Sequence, residues 1–166
     1  VEFIAAALDK DKPDLAVFTG DQIKGYGVTL LLGDREENFK KAFANFLKPV
    51  VDRGIPFTFC FGNHDAQAFG ISKEKQFEIY KSFPGCLAER GDSGLEGLAN
   101  HNILIKDSKG ERDIFNIYLI DSLSTTADGR CAAVTKGQIE WYQKTRDELK
   151  AKNGDYVKSI LFQHIP

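Results

Sequence analysis

Three polar clusters, each placed directly after an apolar run, hold the side chains of this protein that could do chemistry. Leu15-Ala16-Val17-Phe18 leads into Gly20-Asp21-Gln22, Pro56 to Phe61 leads into Gly62-Asn63-His64-Asp65, and Val157 to Phe162 leads into Gln163-His164. Among their side chains are two carboxylates, the Asn63 amide and two imidazoles, a set of oxygen and nitrogen donors that suits Mn, Fe, Zn or Mg better than metals held by soft thiolates. Singly, two of the clusters say little. Gly-Asp after a strand is often a turn, because Gly permits positive φ and Asp caps the next backbone N–H, and an isolated His164 can be an ordinary satisfied histidine. Gly62-Asn63-His64-Asp65 is more specific, since amide, imidazole and carboxylate crowded behind a hydrophobic strand have no simple packing explanation.

The clusters are far apart along the chain, so the elements must bring them together. In open α/β sheets the ligand crevice lies at the carboxyl ends of the strands, which predicts that Asp21, Asn63, His64 and His164 converge there. Residues 2–10 read as the end of a helix, closed by Asp11-Lys12-Pro13. From Asp34, Phe39, Ala42, Phe43, Phe46, Leu47, Val50 and Val51 recur at spacings of three and four, a helix with a capping pair at Asp34 and Glu37 and a stop at Gly54. Pro49 should kink or end it early. A shorter helix is predicted over 73–82, opened by Ser72. A surface loop is predicted over 89–100 from Gly91, Gly94 and Gly97, and a hairpin over 101–106 and 113–120. Thr135 with Gln138 forms a capping box for an amphipathic helix to Lys152, with Trp141 as a packing residue. The order helix, strand, helix, strand, helix, hairpin, helix, strand predicts an α/β layered fold around a largely buried sheet.

Composition narrows the function classes. The chain has 166 residues, 42% hydrophobic and 28% charged, which is the globular range and suits one domain with a sizeable core. Its formal charge of −2 lacks the basic excess that generic nucleic-acid binding needs. No apolar run approaches the ~20 residues of a membrane span. Cys60, Cys86 and Cys131 form no metal-type spacing and read as ordinary thiols, so the compartment stays open. The chain opens on Val1 in mid-helix, stops just after a strand-like run and contains no Met, so it is expected to be a truncated single domain, 1–166, of a longer protein.

The three clusters, in this order, resemble the middle motifs of the calcineurin-like metallophosphoesterase superfamily, its purple-acid-phosphatase-like members in particular. That family runs Asp-x-His, Gly-Asp, Gly-Asn-His-Asp or Glu, a single His after a strand, then Gly-His-x-His; Gly20-Asp21, Gly62-Asn63-His64-Asp65 and His164 match the middle three, and the first and last motifs are absent. The resemblance implies a layered phosphoesterase-type sandwich with a mixed central sheet, here a partial domain. It implies two divalent or trivalent ions (Mn, Fe, Zn or Mg), with Asp21 bridging them and Asn63 and His164 on the second ion. His64 would act on the phosphate or leaving group, with Asp65 orienting it, and a metal-bridging water would be the nucleophile attacking a phosphorylated substrate. The Tyr usual three residues after the bridging Asp of purple acid phosphatases is Lys24 here, with Tyr26 two residues too far, so an iron-tyrosinate site is not supported.

The leading expectation is therefore a dinuclear metal-dependent phosphohydrolase acting on a phosphomonoester or phosphodiester, with specificity set in loops such as 22–34 and 86–100. Asp21, Asn63 and His164 are too few for two closed spheres of about four to six ligands each, so this chain by itself is expected to be inactive, and exposed sheet edges are expected to favour self-association. The alternative is a catalytically dead phosphoesterase-like binding or scaffold domain. A nucleotide-binding α/β domain is disfavoured, because no GxGxxG or GxxxxGK[ST] run follows any strand.

Overall fold

The computed structural model describes residues 1–23 and 32–165; Lys24 and Tyr26, most of the 22–34 loop and Pro166 lie outside the described residues. In chain order the elements are α1 (Glu2–Asp11), β1 (Ala16–Phe18), α2 (Arg35–Val51), β2 (Phe57–Phe59), a 3-10 turn (Asp65–Gln67), α3 (Lys73–Lys81), β3 (His101–Lys106), β4 (Asp113–Leu119), α4 (Lys136–Asn153) and β5 (Lys158–Phe162).

Local chemistry accounts for the helix ends. Asp34 Oδ1 accepts from Glu37 N at 3.1 Å and Ser72 Oγ accepts from Lys75 N at 3.3 Å, each satisfying an amide that the first turn leaves without a partner. At α4 the capping box is complete: Gln138 N donates to Thr135 Oγ1 and Thr135 N donates back to Gln138 Oε1. The expected break at Pro49 does not occur, and α2 runs through it to Val51. Pro49 lies in the last turn, and the i−4 carbonyl it cannot serve belongs to Asn45, an exposed residue that water can reach. Arg53 Nη1 donates to the Pro49 carbonyl at 2.9 Å and ties down the end of the helix.

The strands form a parallel pair, β1-β2, and a mixed three-stranded sheet in the order β3-β4-β5, with β3 and β4 antiparallel and β4 and β5 parallel. Alternation along the strands then fixes four layers. Ala16, Phe18, Phe57 and Phe59 face a core filled by Leu8 of α1, Phe39, Phe43 and Leu47 of α2, and Phe77 and Tyr80 of α3. The opposite face of the same strands presents Val17 and Cys60 to Ile103, Phe115, Ile117, Leu119 and Phe162 of the second sheet. The far side of that sheet is covered by α4, where Trp141 and Tyr142 meet the Tyr118 ring edge-on at 5.9 and 4.8 Å. The protein is thus an α/β sandwich, helices outside and two sheets inside.

The stretch over 89–100 is irregular as expected, but its end turns inward. Leu98, Ala99 and Asn100 are buried, so only its first part is surface loop. Among the described residues no helix is long and apolar enough to cross a membrane. All three cysteines are free, and burial pushes the Cys60 thiol up to about 12, leaving it an unreactive core group.

Candidate functional site

The carboxyl ends of β1, β2 and β5 meet at one point, and two glycines let them do so. Gly20 has φ 92, and a methyl there would collide with the backbone of Gly62; a methyl on Gly62 would strike the Asp21 carboxylate and the His164 ring. Glycine at both places lets the first two clusters lie backbone against backbone. Asp21 follows with φ 55, a left-handed conformation uncommon outside glycine that persists where the surroundings enforce it. Here they do: Asp65 Oδ2 accepts from Asp21 N at 3.0 Å and from Gly62 N at 2.7 Å. Burial lifts the Asp65 carboxyl above the usual carboxylate range, opposed by these two amides, which favour its ionised form.

The side chains above this junction face one another. Asp21 Oδ1 accepts from His64 N at 3.0 Å, and Asp21 Oδ2 lies 2.9 Å from His164 Nε2. His164 Nδ1 is 2.7 Å from the Thr19 carbonyl, which can only accept, so that nitrogen carries the hydrogen. A neutral His164 then turns the lone pair of Nε2 toward a carboxylate oxygen, an arrangement that calls for a positive centre between them, either a proton or a metal ion. A backbone carbonyl fixing the outer ring nitrogen orients the ring as it does in metal-ligating histidines, with the inner nitrogen turned here to the Asp21 carboxylate. Asn63, 5% exposed, follows Gly62 in the chain, and its amide nitrogen reaches Thr125 Oγ1; its side-chain oxygen, with the Asp21 carboxylate and the His164 imidazole, is of the donor type that divalent ions take. Among the described residues no group of three or more His, Cys, Asp or Glu that could hold a metal ion gathers at one point.

Asp65 Oδ2 locks the backbones of the first two clusters, and Gln67 Oε1 lies 2.8 Å from Nδ1 of the His64 ring. Gln67 Nε2 donates to Thr125 Oγ1 at 2.9 Å, and Asn63 Nδ2 reaches the same oxygen at 3.5 Å. Thr125 belongs to the loop after β4, a fourth strand end that sequence reading missed. Ser122 Oγ in this loop accepts from both His164 N and Ile165 N at 3.0 Å, and Asp121, fully buried, pairs with Lys73 Nζ at 2.6 Å. Asp121 Oδ1 also holds Leu123 N, which pins Leu123 at φ 62. The apolar run Ile117 to Ile120 leading into Asp121-Ser122 repeats the pattern of the other three clusters and could have marked the loop. Beside it an open cleft of about 440 Å³, lined by Ala66, Lys73, Arg90, Ser93, Leu123 and Ser124, borders the 3-10 turn of His64.

The pattern described as "Calcineurin-like phosphoesterase" matches residues 1–166, the whole chain. The protein belongs to the calcineurin-like phosphoesterase family. Its relatives are purple-acid-phosphatase-like. It is 27% identical over 184 residues to "Probable inactive purple acid phosphatase 14" of Arabidopsis thaliana, covering 99% of this chain and 44% of that protein. It is 33% identical over 182 residues to "Probable inactive purple acid phosphatase 28" of the same plant, again 99% and 44%, and 29% identical to "Phosphatase DCR2" of Saccharomyces cerevisiae, 99% and 28%. The chain thus spans less than half the length of these relatives. The family's α/β layered fold is the one observed.

Proposed function

We propose that this chain carries the central part of a metal-dependent phosphoesterase site that hydrolyses a phosphomonoester or phosphodiester. The observation that supports it best is the contact of Asp21 Oδ2 with His164 Nε2 at 2.9 Å, between residues 143 positions apart, above the bare Cα of Gly62. In this reading Asp21 would be the carboxylate shared by two ions, and Asn63 and His164 would hold the second, the remaining ligands coming from elsewhere in the full-length protein. Bound there, Mn, Fe, Zn or Mg would supply Lewis-acid polarisation of the phosphoryl oxygens and an activated water. His64 orients the ester and gives a proton to the leaving oxygen, and Asp65 holds the two motif backbones in register. The cleft beside the 3-10 turn receives the organic part of the ester, which places specificity partly in residues 90–98.

The test is metal analysis of the full-length protein beside a panel of phosphomonoesters and phosphodiesters. Two equivalents of metal and turnover on one ester class are expected; a well-folded protein that takes up no metal and turns over no ester overturns the reading. A second reading, a phosphoesterase-like binding or scaffold domain, draws on the word "inactive" in the names of the Arabidopsis relatives, and predicts ligand binding without turnover.

A further inference from the structure

We infer that Gln67 and Thr125 are positioning residues that set the His64 ring for proton transfer, and that the Thr125 hydroxyl aligns Asn63 at the same time. The inference rests on the phosphoesterase reading above. Gln67 Oε1 lies 2.8 Å from His64 Nδ1, Gln67 Nε2 donates to Thr125 Oγ1 at 2.9 Å, and Asn63 Nδ2 approaches the same oxygen at 3.5 Å. A hydroxyl oxygen has two lone pairs and can accept from both amides. With its nitrogen committed to Thr125, Gln67 turns its oxygen to the ring, so Nδ1 carries a hydrogen and the proton exchanged with the ester belongs to Nε2. A histidine that acts as an acid carries hydrogen on both nitrogens, which only an acceptor at Nδ1 can accommodate. In the step this serves, the bond from phosphorus to the leaving oxygen breaks, its electron pair stays on that oxygen, and the oxygen takes the proton from His64 Nε2, while the attacking water oxygen forms the new bond to phosphorus and releases a proton to solvent, from which His64 is reprotonated.

The choice of an amide has a physical reason. A carboxylate at position 67 would orient the ring equally well but would place a negative charge beside a site that must hold a phosphate, whereas a neutral acceptor orients without repelling. The same logic holds for Asn63: with its nitrogen toward Thr125, its oxygen is the end presented away from that loop. Thr125 is itself held in place, bridged to Cys131, with Thr126 N donating to Arg130 O at 2.7 Å. Through Thr125 and Ser122 the loop after β4 touches the second and third clusters, so its placement governs both.

The test uses Gln67→Leu, Thr125→Val and Thr125→Ser in the full-length, metal-loaded protein, with one alkyl phosphoester and one p-nitrophenyl phosphoester. Gln67 is exposed and Thr125 half-buried, so melting temperatures should stay near that of the unaltered protein. Gln67→Leu should lower kcat on the alkyl ester roughly 10–100-fold with KM unchanged, and far less on the nitrophenyl ester, whose leaving group needs little protonation. Thr125→Val should act in the same direction, and Thr125→Ser should restore activity. A readout without turnover accompanies this: nitrogen NMR of the His64 ring in the metal-free protein should show hydrogen on Nδ1, and Gln67→Leu should shift the tautomer. Equal losses on both esters, no rescue by serine, or an unchanged tautomer would overturn the inference. If the unaltered protein hydrolyses neither ester, the phosphoesterase reading fails, and the tautomer comparison still decides whether Gln67 sets the ring.

Discussion

At the residue scale, two histidines and two carboxylates near one junction have separable jobs. Asp21 faces His164 with one oxygen and receives His64 N with the other, so Asp21→Ala in the full-length protein should lose metal and activity together. His64→Ala should keep the metal and lose turnover by about 10²–10⁴-fold, the usual worth of a general acid. Metal content measured beside kcat separates them, and a His64→Ala protein stripped of metal would contradict the assignment. The third histidine, His101, plays a structural part. It is buried, its Nδ1 donates to the Ala99 carbonyl at 2.8 Å, and Nε2 accepts from Thr58 Oγ1 at 2.7 Å, joining β2 of one sheet to β3 of the other. Burial depresses its pKa below 6.5. The unfolded chain therefore takes up a proton before the folded one does, so stability is full above pH 6.5 and is lost as pH falls from there toward the folded pKa. Urea midpoints should drop between pH 7.5 and 5.5, and the drop should shrink in His101→Gln; an unchanged pH dependence would show that His101 does not carry it.

At the element scale, the N-terminus of α4 does more than start a helix. Gln138 closes the capping box and, with Nε2, donates to Asn100 Oδ1 at 3.0 Å and to the Asp121 carbonyl at 2.8 Å. One side chain thus joins the helix start, the buried end of the 89–100 stretch and the loop that carries Ser122 and Thr125. Thr135→Ala removes the cap and an exposed hydrogen bond from Thr135 Oγ1 to Glu96 Oε2 at 3.1 Å, and should cost about 1 kcal/mol. Gln138→Leu strands a fully buried carbonyl besides, and should cost roughly 2–3 kcal/mol. Chemical denaturation of the two variants checks this ranking; equal losses would mean that the buried bonds of Gln138 add nothing beyond the cap.

At the scale of the whole molecule, the number of donors limits what these 166 residues can do alone. In the proposed reading Asp21, Asn63 and His164 would make one incomplete sphere, and His101 is committed to Thr58 and Ala99. The isolated chain should bind at most one divalent ion weakly and hydrolyse phosphoesters orders of magnitude more slowly than the full-length protein. Calorimetric titration with Mn that reads two tight equivalents would refute this. Strand β5 pairs only with β4 among the described residues, and Ile160 and Leu161, on its opposite faces, are 44% and 39% exposed. An apolar edge of this kind invites pairing between copies. Sedimentation should show a mass that rises with concentration, and Ile160→Lys should lower it; a monomer at all concentrations would exclude the association.

What the sequence determined by itself was local: the caps at Asp34, Ser72 and Thr135, the strands between glycines, the hairpin of β3 and β4, and the polar clusters at three strand ends. These depend on periodicity and on hydrogen bonds spanning three or four residues, so the information lies within a short window. The family resemblance was legible for the same reason, being carried by short runs such as Gly62-Asn63-His64-Asp65. What only the tertiary structure decided was who partners whom. Pro49 stays inside α2 because the orphaned carbonyl is on an exposed residue. Asp65 serves the backbones of Asp21 and Gly62, His64 is held by Gln67, and Lys73 pairs with Asp121 from 48 positions away. A carboxylate or an amide has several donors within reach in a folded chain. Which of them it takes is settled by the packing of layers from distant segments, which no local pattern encodes.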